Sequence, residues 1–234
     1  MTGGFVSPAT RQRVRDLATP IARGLGRLGL TPNALTIIGF LGTCAAAYAA
    51  ANQAWLAAGT LVLLFGIFDL FDGTLARVTG RVTKFGAFLD STFDRAGEAI
   101  VYIGIAVGCI AAGFDLGAVL AAAAMGAAFM VSYARAKSES LGFTPGTGMA
   151  NVGLAPREVR LALLTVGLLV TSFVGPVGPP AFDCPANLLV SCVPPDFYIV
   201  GDVALGGTLG LITILATLTT VQRILHARAQ SREG

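Results

Sequence analysis

Six apolar stretches, each about as long as a bilayer core is thick, constrain this chain more than any other feature. They run over about 34 to 52, 54 to 75, 87 to 112, 116 to 134, 159 to 175 and 198 to 222. A hydrocarbon core of about 30 Å takes roughly 20 helical residues per crossing, and in lipid every backbone polar group must be satisfied within its own segment or a closed barrel. The expected fold is therefore all-α: a polytopic membrane protein with six transmembrane helices. Composition agrees, since 54% of the 234 residues are apolar and only 12% charged, and the mean hydropathy is +0.74. A water-soluble domain needs more polar surface than that.

The sixteen basic residues are one-sided. They fall in the N-terminal arm, in segments 77 to 95 and 135 to 160, and in the tail, whereas the connections near 52 to 54, 113 to 116 and 176 to 197 carry only Asp among charged residues. The positive-inside rule then places both termini and both basic loops in the cytoplasm, with the plasma membrane the expected location; arginine over lysine, 14 to 2, and abundant alanine are consistent with a GC-rich bacterial genome. Such a face implies contact with anionic head groups or phosphorylated substrates, with no nucleic-acid partner expected. The first thirty residues carry Arg11, Arg13, Arg15, Arg23 and Arg27 without a preceding apolar run, so no cleavable leader is expected. Val14, Leu17, Ala18, Ile21 and Leu25 recur at helical spacing against those arginines, which predicts an interfacial amphipathic helix interrupted near Pro20. The expected division is an arm over 1–30, a six-helix domain over 31–226 and a tail over 227–234. Cys44 and Cys109 lie inside spans, and Cys184 and Cys192 share a Pro-rich outer loop where an oxidising exterior would allow a disulfide.

Against this background the stretch from Phe68 to Arg95, "FDLFDGTLARVTGRVTKFGAFLDSTFDR", is anomalous. Asp69, Asp72 and Ala76 share one face of the second span, and Asp90 and Asp94, four apart, share a face of the third. Two carboxylate ladders at one depth repel each other unless cations hold them. Hard oxygen ligands on rigid helices suit Mg²⁺, with Mn²⁺ possible in its place, and two ions would balance four carboxylates. Gly73 removes a side chain where a ligand approaches, and Arg77, one turn on, suits a diphosphate. The plainer reading is that these aspartates cap helix ends or pair with Arg77, Arg81, Lys84 and Arg95; ionisable clusters within a membrane are nevertheless functional by default.

Asp69, Asp72-Gly73, Ala76-Arg77, Gly86, Asp90 and Asp94, at their spacings, match every position of the signature of the CDP-alcohol phosphotransferases, which this chain resembles over nearly its whole length. The resemblance implies a membrane transferase, typically homodimeric, that takes a CDP-linked lipid and an alcohol and releases CMP. It implies that Asp69, Asp72 and Asp90 bind one metal, and that Asp94 helps hold the second and is the general base. Gly73 and Ala76 leave room for the cytidine and Arg77 contacts the diphosphate, with Pro32 and Thr36 in the same nucleotide site.

The acceptor must be chosen elsewhere. Arg135 and Lys137 close the fourth span, and Arg157 and Arg160 open the fifth. Four cations beside a metal site suit an acceptor carrying its own phosphate, although positive-inside anchoring alone also places cations there. With the "TPIARGLGRLGLTPNALTIIG" segment, these stretches are similar to the inositol-phosphate-using branch of the family in actinobacteria, which implies CDP-diacylglycerol as donor and inositol phosphate as acceptor. Glycerol 3-phosphate is the nearest alternative acceptor. A divalent-cation transporter and a catalytically silent lipid scaffold are the alternatives from other classes. Glu98 is expected either to tune Asp94 or to pair with Arg95, and His226 to be an interfacial side chain.

Overall fold

Helix boundaries in this chain are set by caps rather than by where the apolar runs end. The computed structural model describes residues 19–143, 149, 152–178 and 200–231. A helical segment over 19–27, α1, leads into α2 (Pro32–Ala51), α3 (Trp55–Val78), α4 (Lys84–Ala111), α5 (Asp115–Ser140), α6 (Arg157–Val174) and α7 (Val200–Gln230). Thr31 caps α2 by accepting from the Ala34 N–H at 3.2 Å, with Pro32 in the first turn, where its missing N–H costs nothing. Thr83 caps α4 in the same way, accepting from the Gly86 N–H at 2.9 Å. α3 stops where Gly80 takes φ +67° and the Arg81 N–H reaches back to the Ala76 carbonyl at 2.9 Å, a Schellman ending. α2 ends by the same device on a non-glycine residue, Gln53 at φ 59°.

These caps carry the helices past the expected span edges. α3 continues to Val78, α4 begins at Lys84, α5 runs to Ser140 and α7 to Gln230. The reason is physical: charge ends a hydrophobic crossing but does not end a helix, so the polar ladders are helical throughout. α7 likewise passes through 226 without a break.

The long helices close into a ring. α2 packs on α3 and α4, α4 on α5, α5 on α7, α7 on α6, and α6 back on α3. Lipid offers no hydrophobic drive for helices to associate, so close backbone approach must supply the contact. Gly104 and Gly108 of α4 do this against α2: a Cβ at either would overlap the carbonyl oxygen of Ala47 or Ala50. Alanines 46, 50, 58, 121, 124 and 128 fill the interior with Trp55, Tyr102, Ile105, Leu164, Leu168 and Leu205. Large apolar side chains face outward instead, among them Leu41, Leu64, Ile110, Phe173 and Ile214.

The chain is thus an all-helical membrane protein. Among the described residues, α2, α3, α5 and α7 are long and apolar enough to cross a membrane. α4 and α6 fall short of that standard because α4 holds Asp94, Arg95 and Glu98, and α6 opens with Arg157, Glu158 and Arg160. Cys184 and Cys192, between which the exterior would allow a disulfide, and the expected helix N-terminal to residue 19 lie outside the described residues.

Candidate active site

Four helices converge at the site: α2 and α4 by their first turns, α3 by its last, and α6 by its N-terminus. Thr36, one turn into α2, donates its hydroxyl to Asp72 Oδ2 at 2.7 Å, and Asp72 is 6% exposed. That bond fixes one carboxylate of the α3 ladder and leaves Asp69, one turn toward the interior, to face α6. Gly39 makes this possible, since a Cβ there would lie 3.2 Å from Asp69 Oδ1. Arg77 extends past Gly73 at the inner end of α3, donating to Thr74 Oγ1 at 3.3 Å, and is exposed. Ala76 is half-buried beside it, and Pro32 lies one turn before Thr36. Asp90 is half-buried on the first turns of α4.

The α6 arginines divide in role. Arg157 Nη2 sits 2.7 Å from Asp69 Oδ2 and 3.0 Å from Asp94 Oδ1, so one guanidinium bridges the two ladders. Arg95 lies 3.4 Å from the other oxygen of Asp94. Arg160, 1% exposed, forks onto Glu98 at 2.8 and 2.7 Å and also donates to the Ala155 carbonyl at 3.0 Å. Glu98 therefore pairs with Arg160 across the bundle rather than with Arg95, its neighbour in sequence. Arg135 pairs with Glu139 at 2.8 Å on the surface of α5 and Lys137 is exposed beside it; neither lines the cleft that holds Asp69 and Asp94.

One arginine of the basic tail is structural. Arg223 of α7 is 4% exposed and donates to the Val131 carbonyl at 2.6 Å and the Val152 carbonyl at 3.0 Å. Thr219, one turn before it, accepts from the Ala155 N–H at 2.9 Å. Together they fasten the segment that delivers Arg157 and Arg160 to the site.

The donor set suits a hard divalent cation. Among the described residues no three carboxylates, thiols or imidazoles converge as a formed ligand cage. Asp69 and Asp94 nevertheless approach closely enough to share one cationic nitrogen, that of Arg157. The residues present therefore fit a divalent ion on chemistry, with Arg157 as the cation that stands between them here.

The sequence model for CDP-alcohol phosphatidyltransferase matches residues 29–178, which take in both aspartate ladders and the start of α6. The chain belongs to this family. Within it, the chain is 39% identical over 159 residues to archaetidylinositol phosphate synthase of Pyrococcus horikoshii, covering 68% of this chain and 80% of that one. It is 36% identical over 211 residues to phosphatidylinositol phosphate synthase of Cutibacterium acnes, covering 89% and 91%. Its fold is similar to the crystal structure of Mycobacterium tuberculosis phosphatidylinositol phosphate synthase with CDP-DAG bound, at TM-score 0.71, 29% identity and coverage of 91% and 94%. The same enzyme in complex with manganese and citrate superimposes equally, at TM-score 0.71 and 29% identity over 90% and 88%. Family membership makes this chain a transferase of phospholipid biosynthesis and sets aside the transporter and silent-scaffold readings.

Proposed function

We propose that this chain transfers the phosphatidyl group of CDP-diacylglycerol to inositol phosphate, giving phosphatidylinositol phosphate and CMP. One observation carries the acceptor: relatives from archaea and bacteria differ in the lipid part of their names and share inositol phosphate. Arg157 supports the reading physically, because a guanidinium touching both Asp69 and Asp94 is placed to receive an acceptor's phosphate beside the reacting hydroxyl. With the aspartates turned to metal, a neutral alcohol would offer it no anion in their place.

Asp69, Asp72 and Asp90 would hold one divalent ion and Asp94 would help hold a second, Mg²⁺ or Mn²⁺, whose chemistry is to stabilise charge on the phosphoryl oxygens and the departing CMP. The remaining work falls to the chain's own side chains. Asp94 accepts the proton of the attacking hydroxyl, an otherwise poor nucleophile. Arg77 grips the diphosphate while Gly73 and Ala76 leave space for the cytidine, and Thr36 and Pro32 fix the start of α2 against Asp72. Arg157 binds the acceptor's phosphate, and Arg160 holds α6 in register through Glu98. Arg135 and Lys137, at the inner end of α5, form the outer approach for the same anion.

Charge placement and hydropathy support the topology, and family resemblance the pairing of copies. All six long helices cross the plasma membrane with both termini and the site in the cytoplasm, residues 31–226 form the catalytic domain between an interfacial arm and a short tail, and two copies pair as a homodimer. The test is product identity: radiolabelled inositol phosphate should enter the lipid extract in proportion to CMP released, and only with Mg²⁺ or Mn²⁺ present. Label that remains in the aqueous phase while CMP appears would overturn the acceptor assignment.

A further inference from the structure

The face of α4 that carries Asp90 and Asp94 does not stop there. Glu98 and Tyr102 continue it at the same spacing of four, and both line the cleft that begins at Asp69, Asp94 and Arg157. Along α4, Glu98 and Tyr102 stand inward of Asp94, and Arg160 lines the cleft with them. Its inner wall is thus polar in a region otherwise built from Val62, Val101 and Leu164.

Tyr102 is the unexplained member. It is 1% exposed, its ring packs into the apolar core, and its hydroxyl has no hydrogen-bond partner among the described residues. A phenylalanine would fill the same volume without that cost. Buried hydroxyls are nearly always paired, and one left unpaired loses its hydration for no return unless a ligand or water completes it. Glu98, whose two oxygens take the Arg160 fork, is not its partner either.

We propose that Tyr102 is a specificity residue for the acceptor, its hydroxyl hydrogen-bonding a ring hydroxyl of a cyclic polyol phosphate on the side away from the reacting carbon. The inference rests on the acceptor reading above. Its geometry is that of a helix: Tyr102 lies eight residues beyond Asp94, about 12 Å along the axis, and helical side chains lean back toward the N-terminus. The phenol therefore returns part of the way toward Asp94. An acceptor whose hydroxyl meets Asp94 and whose phosphate meets Arg157 presents its far rim inward, toward the phenol. A six-membered polyol spans that gap, and a three-carbon glycerol phosphate leaves it unfilled.

The test is Tyr102→Phe, which keeps the ring that packs and removes only the oxygen. Initial rates are measured with CDP-diacylglycerol and Mg²⁺ against inositol phosphate, glycerol phosphate and a set of inositol phosphates each lacking one ring hydroxyl. The expected result is a KM for inositol phosphate raised about 3- to 10-fold, the size of one lost hydrogen bond, with the KM for CDP-diacylglycerol unmoved and no loss of thermal stability. One deoxy analogue should cost the unsubstituted enzyme the same factor and cost Tyr102→Phe nothing further. An unchanged KM for inositol phosphate, or an equal penalty on every analogue, overturns the assignment and leaves the phenol to an ordered water. Absence of inositol phosphate turnover by the unsubstituted enzyme overturns the function proposed above and this inference with it.

Discussion

Asp94 and Asp69 share the Arg157 guanidinium yet are assigned different chemistry, and substitution separates them. Asp94→Asn should lower kcat roughly 10²- to 10⁴-fold, the usual contribution of a positioned base, while CDP-lipid binding persists. Asp69→Asn should lose Mn²⁺ binding and nucleotide binding as well. Turnover measured beside Mn²⁺ binding by spin resonance checks this, and equal loss of binding in both variants would contradict the division. Arg157→Ala should raise the acceptor KM about 10- to 100-fold, the range of a charged hydrogen bond removed, with a much smaller change for CDP-diacylglycerol. A reversed pattern would move Arg157 to the donor site. The aspartates were legible in the sequence because carboxylates at helical spacing within apolar runs have few structural explanations. The pairing of Arg160 with Glu98 was not, since the partners lie far apart along the chain and a nearer cation, Arg95, competed for the same carboxylate. Arg223 was missed for a related reason: a buried arginine and one that anchors a helix at the head groups look alike until its acceptors, here Val131 and Val152, are known.

At the scale of elements, the contact between α2 and α4 depends on glycines that let backbone meet backbone. Gly104→Leu should destabilise the protein by about 1 to 3 kcal/mol through overpacking, read as a lower melting temperature in detergent. Gly126→Ala is the control, because a Cβ there meets nothing within 4 Å. Equal melting of both variants would mean that the α2–α4 contact is not as close as described. Hydropathy located every long helix but placed several ends too early. α3 and α4 reach further inward than their apolar runs, because the Schellman turn at Gly80 and the Thr83 cap, not polarity, decide where the helix stops. That extra length keeps Arg77 on α3 in register with the aspartates, and α4 helical ahead of Asp90. The closing of the ring through α3 and α6 had no sequence signal, since small residues populate nearly every face.

For the whole molecule, placing both termini and the site on one side requires an even number of crossings. Single cysteines in a background without the native four should report it. Thr79→Cys and Ser231→Cys should be labelled by an impermeant thiol reagent only after the membrane is opened, and Asn52→Cys in intact cells. Labelling of Thr79→Cys in intact cells would invert the orientation or change the number of spans. The reaction itself is read by CMP release from the protein in liposomes containing CDP-diacylglycerol and Mg²⁺, compared across inositol phosphate, free inositol, glycerol phosphate and serine. The expected kcat/KM for inositol phosphate lies far above the other three, with free inositol failing because Arg157 finds no phosphate to hold. Release with glycerol phosphate and none with inositol phosphate, from folded protein, would contradict it.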